Sequence, residues 1–152
     1  CVTFPTSPRM TLSKNDIFER DDTCQNNTID IINVGSFIHD KAHHILIKAF
    51  AKALNINKNL RLKLLGDGPL RQELVDLIHT LKIEEHVLFC GYIEEETELY
   101  KNLSSSDIFV LSSVTEGFPR VLYEAMCMRL PIISTNVGGI PYLLKNKLSL
   151  NK

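Results

Sequence analysis

The pattern that most limits how this chain can fold is an alternation repeated about five times. A short apolar run meets a glycine turn, and apolar residues at spacings of three and four follow. Ile29-Asp30-Ile31-Ile32-Asn33-Val34 ends at Gly35, Leu60 to Leu65 ends at Gly66-Asp67-Gly68-Pro69, and Val87 to Cys90 ends at Gly91. Asp107 to Leu111 leads into Glu116-Gly117-Phe118-Pro119, and Pro131 to Ser134 runs to Gly138-Gly139. Between these runs, Ala42, Ile45, Leu46, Ala49, Phe50, Ala53 and Leu54 predict an amphipathic helix from Lys41 to about Asn55. Leu70, Leu74, Leu77, Ile78 and Leu81 predict a second helix, and an acidic one is expected from Glu94 to Leu103. Strands alternating with helices pair in parallel. The expected fold class is therefore α/β: a Rossmann-like doubly wound parallel sheet with helices on both faces and right-handed crossovers.

All seven glycines, at positions 35, 66, 68, 91, 117, 138 and 139, fall after the carboxyl ends of the predicted strands. In open α/β sheets that edge binds ligands, at the point where strand order reverses. A strand-to-helix turn needs glycine in any case, but seven on one edge and none in a predicted strand or helix favour a site there. The densest part is Val114 to Met126. Pro119 suits the first turn of a helix, since its φ is fixed and its missing N–H would lack a partner there. Val121, Leu122, Ala125 and Met126 give that helix an apolar face, placing Glu124 about one turn in and leaving free N–H groups pointing toward Glu116.

With 152 residues the chain has the length of about one domain, and its net charge of −1 provides no electrostatic footprint for nucleic acid or an anionic membrane. Residues 1–28, with Pro5, Pro8, Asp21, Asp22, Asn26 and Asn27, have the composition of a linker or disordered segment, the only helix-like piece being Asp16 to Glu19. Residues 29–152 form the expected domain, incomplete at its C-terminal end. Cys1, Cys24, Cys90 and Cys127 lack metal-ligand spacing and read as thiols in a reducing compartment, with a Cys1–Cys24 disulfide as the lesser alternative.

In this order, Val34-Gly35 before Lys41, Gly66-Asp67-Gly68-Pro69, Gly91-Tyr92-Ile93, Ser112-Ser113 before Glu116-Gly117-Phe118-Pro119, Glu124-Ala125-Met126 and Pro131 to Gly139 resemble the C-terminal domain of retaining, nucleotide-sugar-dependent glycosyltransferases of group 1 (family 4, GT-B fold). The likeness covers about residues 28 to 145. It implies the donor half of an enzyme that moves a sugar from a nucleotide-diphospho-sugar co-substrate to an acceptor. No cofactor and no metal are implied, and a missing N-terminal domain would bring the acceptor and any membrane association to a cytoplasmic protein. The implied donor-binding residues are Gly35, Lys41, Gly66, Tyr92, Ile93, Gly117, Phe118, Pro119, Arg120 and Glu124, with Glu116 catalytic. Lys41 matches the diphosphate lysine, Glu124 the ribose glutamate, Tyr92 and Ile93 the wall of the base pocket, and Glu116 the carboxylate that steadies positive charge as the glycosidic bond breaks.

Three departures stand out. Ser36 replaces an arginine that usually pairs with the lysine, Ala42 a glycine, and Tyr142 a glutamate. Arg120, expected beside Glu116, could supply the missing cation. Without donor binding the chain would be a degenerate domain with a structural or interaction role. An unrelated nucleotide-sugar epimerase module is disfavoured because the first strand offers only Gly35, without a G-x-G-x-x-G turn. His39, His43 and His44 form a His-x3-His cluster that invites a metal, but no carboxylate joins them.

Overall fold

The computed structural model describes residues 27–148, with side chains to 144. The readings made of residues 1–26, including the Asp16 to Glu19 helix and the Cys1–Cys24 pairing, lie outside the described residues. Five strands, β1 (Ile29–Val34), β2 (Leu60–Leu65), β3 (Val87–Gly91), β4 (Ile108–Leu111) and β5 (Ile132–Ser134), form one parallel sheet in the order β3-β2-β1-β4-β5. The helices are α1 (His43–Leu54), α2 (Arg71–Leu81), α3 (Glu96–Ser104), α4 (Arg120–Cys127) and α5 (Ile140–Leu148), with 3-10 turns at His39–Lys41 and Glu84–His86.

Alternation along the strands decides which face each side chain joins. Leu60, Leu62 and Leu64 of β2 pack with Leu46, Ile47 and Phe50 of α1 and Leu74 and Ile78 of α2. Ile32, Leu65, Phe109 and Leu111 point the other way and pack with Tyr100 and Leu103 of α3, Leu122 and Ala125 of α4 and Ile140 of α5. Two buried layers on a parallel sheet explain why the strands read as nearly continuous apolar runs. Asn33 and Asp30 of β1 are buried polar exceptions, and the charged one is Asp30. Burial pushes its carboxyl upward, but hydrogen bonds from Arg61 and Lys63 on β2 outweigh that and hold it below the ordinary carboxylate value.

The first helix begins two residues later than the sequence predicts. Lys41 closes the 3-10 turn, and Ala42 sits in the left-handed region with φ 49° and ψ 39° before α1 starts at His43. Glycine is the residue that accepts this conformation without steric cost, so alanine here stores strain. Ala42→Gly is expected to stabilise the protein by roughly 0.5–1 kcal/mol, the strain relieved less the added chain entropy of glycine. Urea unfolding of the two forms measures this directly.

Candidate functional site

With β1 between β2 and β4, strand order reverses between β1 and β4, and the loops leaving those two strands face each other across the gap. There Lys41 from the first loop and Glu116 from the second meet, Nζ donating to Oε1 at 2.5 Å. Ser113 Oγ, fully buried, donates to the same oxygen at 2.7 Å. The side chain of Lys41 crosses Gly35, where a Cβ would lie 3.7 Å from its Cγ and Cδ. Backbone bonds fasten this arrangement: Val114 N–H donates to the Asp40 carbonyl and Ser112 Oγ to that of Lys41, both at 2.8 Å. Thr135 Oγ1, beyond β5, donates to the Ser113 carbonyl. Ser113 and Thr135 were not singled out as site residues, since no sequence spacing indicates which hydroxyl in a serine-rich loop turns inward.

Two glycines build this edge by close approach. Gly66 donates its N–H to the Gly91 carbonyl at 2.7 Å and lies so near Gly35 that a Cβ would sit 2.1 Å from the Gly35 oxygen. Gly138, with φ +55°, occupies the same relation to the Glu116 carbonyl, and its neighbour Gly139 donates to Gly117 O at 2.9 Å. The Glu116–Gly117 loop is thus held from below by the turn after β5.

Pro119 caps α4 rather than opening it, and the helix starts at Arg120. Arg120 is exposed and acts electrostatically on Glu124, four residues along the helix, while the cation paired with Glu116 among the described residues is Lys41. Burial pushes the Glu124 carboxyl above its ordinary value near 4.5; the Arg120 cation opposes the rise and the Glu96 carboxylate adds to it. A carboxyl raised by folding contributes stability below its unfolded value and loses it as pH rises through its folded one. Glu124→Gln is therefore expected to raise the melting temperature of the ligand-free protein at pH 7 and to leave it unchanged at pH 4. Melting curves at the two pH values decide this.

The two residues expected at the base pocket differ in exposure. Tyr92 is 74% exposed, and Ile93 packs into the layer under α3 to α5. The loop after β3 turns Tyr92 outward and Ile93 inward. Phe118, beside Gly117 at the start of α4, is 66% exposed, and Tyr142 is 74% exposed. Ser36 is exposed at the tip of the loop after β1.

Among the described residues no group of three His, Cys, Asp or Glu side chains is placed to hold a metal ion, so His39, His43 and His44 do not converge. His43 is buried instead, edge-on to Phe37, with both ring nitrogens unpaired. Burial, then the charges of Lys41 and His44, push its pKa down to about 4 from 6.5. The unfolded chain takes up this proton before the folded one does. Stability is accordingly full above pH 6.5 and falls as pH drops toward 4. Chemical denaturation of His43→Leu across that window is expected to show a shallower loss.

Cys90 is half-buried and Cys127 exposed, both as free thiols, and burial pushes the Cys90 thiol up. No helix among the described residues is long and apolar enough to cross a membrane.

This geometry agrees with what the chain is similar to. Residues 15–149 match the family described as glycosyl transferases group 1. The chain belongs to that family. Among curated group 1 relatives it is 37% identical over 116 residues to the N-acetyl-alpha-D-glucosaminyl L-malate synthase of Bacillus anthracis, covering 76% of this chain and 29% of that protein. The fold matches TarM of S. aureus, solved as a mutant in complex with fondaparinux, alpha-GlcNAc-glycerol and UDP, with a TM-score of 0.71 at 19% identity over 83% of this chain and 25% of that one. Anabaena HepE, solved in complex with UDP and glucose, matches with a TM-score of 0.69 at 27% identity, covering 86% of this chain and 36% of that one. The chain thus spans about a third or less of the curated relatives it matches.

Proposed function

We propose that this group 1 chain binds the donor of a retaining glycosyl transfer, a nucleoside-diphospho-sugar, along the carboxyl edge of its sheet. The observation that carries the reading is the Lys41–Glu116 pair across the β1/β4 gap, with Ser113 on the same carboxylate oxygen. One cation and one carboxylate, each from a different side of the strand reversal, suit a ligand with a diphosphate on one side and a sugar on the other. Lys41 exchanges Glu116 for the diphosphate when donor enters, and charge-assisted bonds to phosphate are stronger than neutral ones. Ser113 keeps Glu116 in place after that exchange. The N–H groups at the start of α4, near Gly117, Phe118 and Pro119, receive the leaving diphosphate. Glu124 accepts from the ribose hydroxyls, donors that would offset the burial which raises its pKa in the ligand-free chain.

In the reaction the bond from the anomeric carbon to the diphosphate oxygen breaks, the electron pair leaving with the nucleoside diphosphate. A bond to the acceptor oxygen forms on the same face, and the acceptor proton passes to the departing phosphate. Glu116 lies where positive charge develops on the sugar. The acceptor comes through another domain, and the chain alone does not turn over.

Titration calorimetry of the 152-residue chain with UDP, UMP and UDP-glucose tests this. UDP is expected to saturate the chain and to bind about tenfold or more tighter than UMP, because the second phosphate meets Lys41. Binding of neither nucleotide would favour the second reading, a domain that keeps the fold without the donor, which the exposed Ser36 in place of a second cation supports.

A further inference from the structure

At the amino edge of the sheet, opposite the Lys41–Glu116 pair, the ends of α1 and α2 border an open pocket of about 520 Å3. Ala51, Leu54, Leu81 and Ile83 form its apolar floor, and Lys48, Lys52, Lys58 and Lys82 stand around it with His86. No acidic residue lines it. None of these four lysines has an ion-pair partner among the described residues. His86 is oriented by a bond to the Leu60 carbonyl at 3.1 Å; a carbonyl only accepts, so Nδ1 carries the hydrogen. From these features we infer a second binding site, for an anionic amphiphile: a phosphate or carboxylate head on an apolar chain.

Lysines near helix carboxyl ends are often no more than complements to the helix dipole. That accounts for Lys52 in the last turn of α1 and for Lys82 at the cap of α2. It does not account for Lys48, a turn earlier, or for Lys58, in the loop beyond α1. Lys82 is left-handed with φ 54° because it caps α2, its N–H donating to the His79 carbonyl and the Ile83 N–H to that of Ile78. Two cations that the helix dipole does not explain, beside an apolar pocket with no acidic lining, suit a ligand with an anionic head. The apolar floor adds a requirement that inorganic phosphate does not meet. The chain as a whole carries a net charge of −1, so this cationic surface is local and not a property of the composition.

The test uses the isotopically labelled 152-residue chain, followed by NMR during titration with dihexanoylphosphatidic acid below its micelle concentration. Saturable shifts confined to the 48–58 and 81–86 segments are expected. Lys52→Ala combined with Lys82→Gly should weaken that binding about tenfold or more through loss of two charged contacts, with UDP titration unchanged. Glycine at position 82 relieves the backbone strain, so the variant is expected to fold at least as well. Absence of saturable shifts, an equal response to inorganic phosphate, or undiminished affinity in the double variant would overturn the site. Sedimentation with phosphatidylcholine vesicles containing phosphatidic acid identifies the source: co-sedimentation of the parent chain but not the variant assigns the head group to a bilayer lipid, and binding of the short-chain compound without co-sedimentation assigns it to a free amphiphile.

Discussion

Gly138→Ala is expected to destabilise the protein by about 2–5 kcal/mol, the sum of a left-handed alanine and an overpacked contact. The added Cβ would lie 1.7 Å from the Glu116 carbonyl oxygen and 2.7 Å from its carbon, so the backbone itself must move. Either the turn after β5 retreats or the Glu116–Gly117 loop is pushed outward, and both movements break the Gly139 N–H bond to Gly117. Donor affinity should fall together with stability, because that loop is the one that carries Glu116. Gly91→Ala is the control. Its φ is also positive, at +76°, but a Cβ there meets nothing within 4 Å, so only the conformational cost of about 1–2 kcal/mol remains. Urea unfolding of the two variants side by side separates collision from conformation, and equal losses would show that the contact under Glu116 contributes nothing.

Lys41→Met is expected to weaken UDP binding about 100-fold, or about 2.7 kcal/mol, by removing a charge-assisted contact to the diphosphate. The same change leaves Glu116, whose side chain is 8% exposed, with the Ser113 hydroxyl as its remaining donor among the described residues, so stability should fall as well. That loss is smaller than for a fully buried pair, because the Lys41 side chain is 27% exposed and partly solvated. Glu116→Gln added to Lys41→Met removes the uncompensated carboxylate and should restore most of the stability but none of the UDP affinity. Calorimetry and melting curves on the three proteins distinguish a ligand-binding lysine from one that only neutralises Glu116. Recovery of UDP binding in the double variant would contradict the proposed exchange of partners.

The fold was legible because its determinants are local. A branched apolar run such as Ile29 to Val34, a glycine at its end and a stripe such as Leu46, Phe50 and Leu54 each state their element without reference to distant parts of the chain. Connection rules then leave few ways of joining five such units. Element edges were less legible. The sequence runs the first helix back to Lys41, since nothing in alanine announces a left-handed residue at position 42. The shift has a consequence for the site, as it detaches Lys41 from the helix and lets its side chain lie across Gly35 toward Glu116.

Pairing across the sheet was not legible at all. Arg120 and Glu116 are four residues apart and invite a local pair, whereas Lys41 and Glu116 are separated by 75 residues and meet only because β1 and β4 are neighbours. Side-chain direction in loops was equally hidden: Tyr92 and Ile93 are adjacent, and one points to solvent while the other joins the core. The sequence alone determined the α/β class, the edge on which the glycines gather and the residue types available there, because periodicity and turn chemistry act over a few residues. Which cation meets which carboxylate, which serine turns inward to Glu116, and which glycines are pressed against a carbonyl were decided by the tertiary structure. Those contacts join segments that only the order of strands brings within reach.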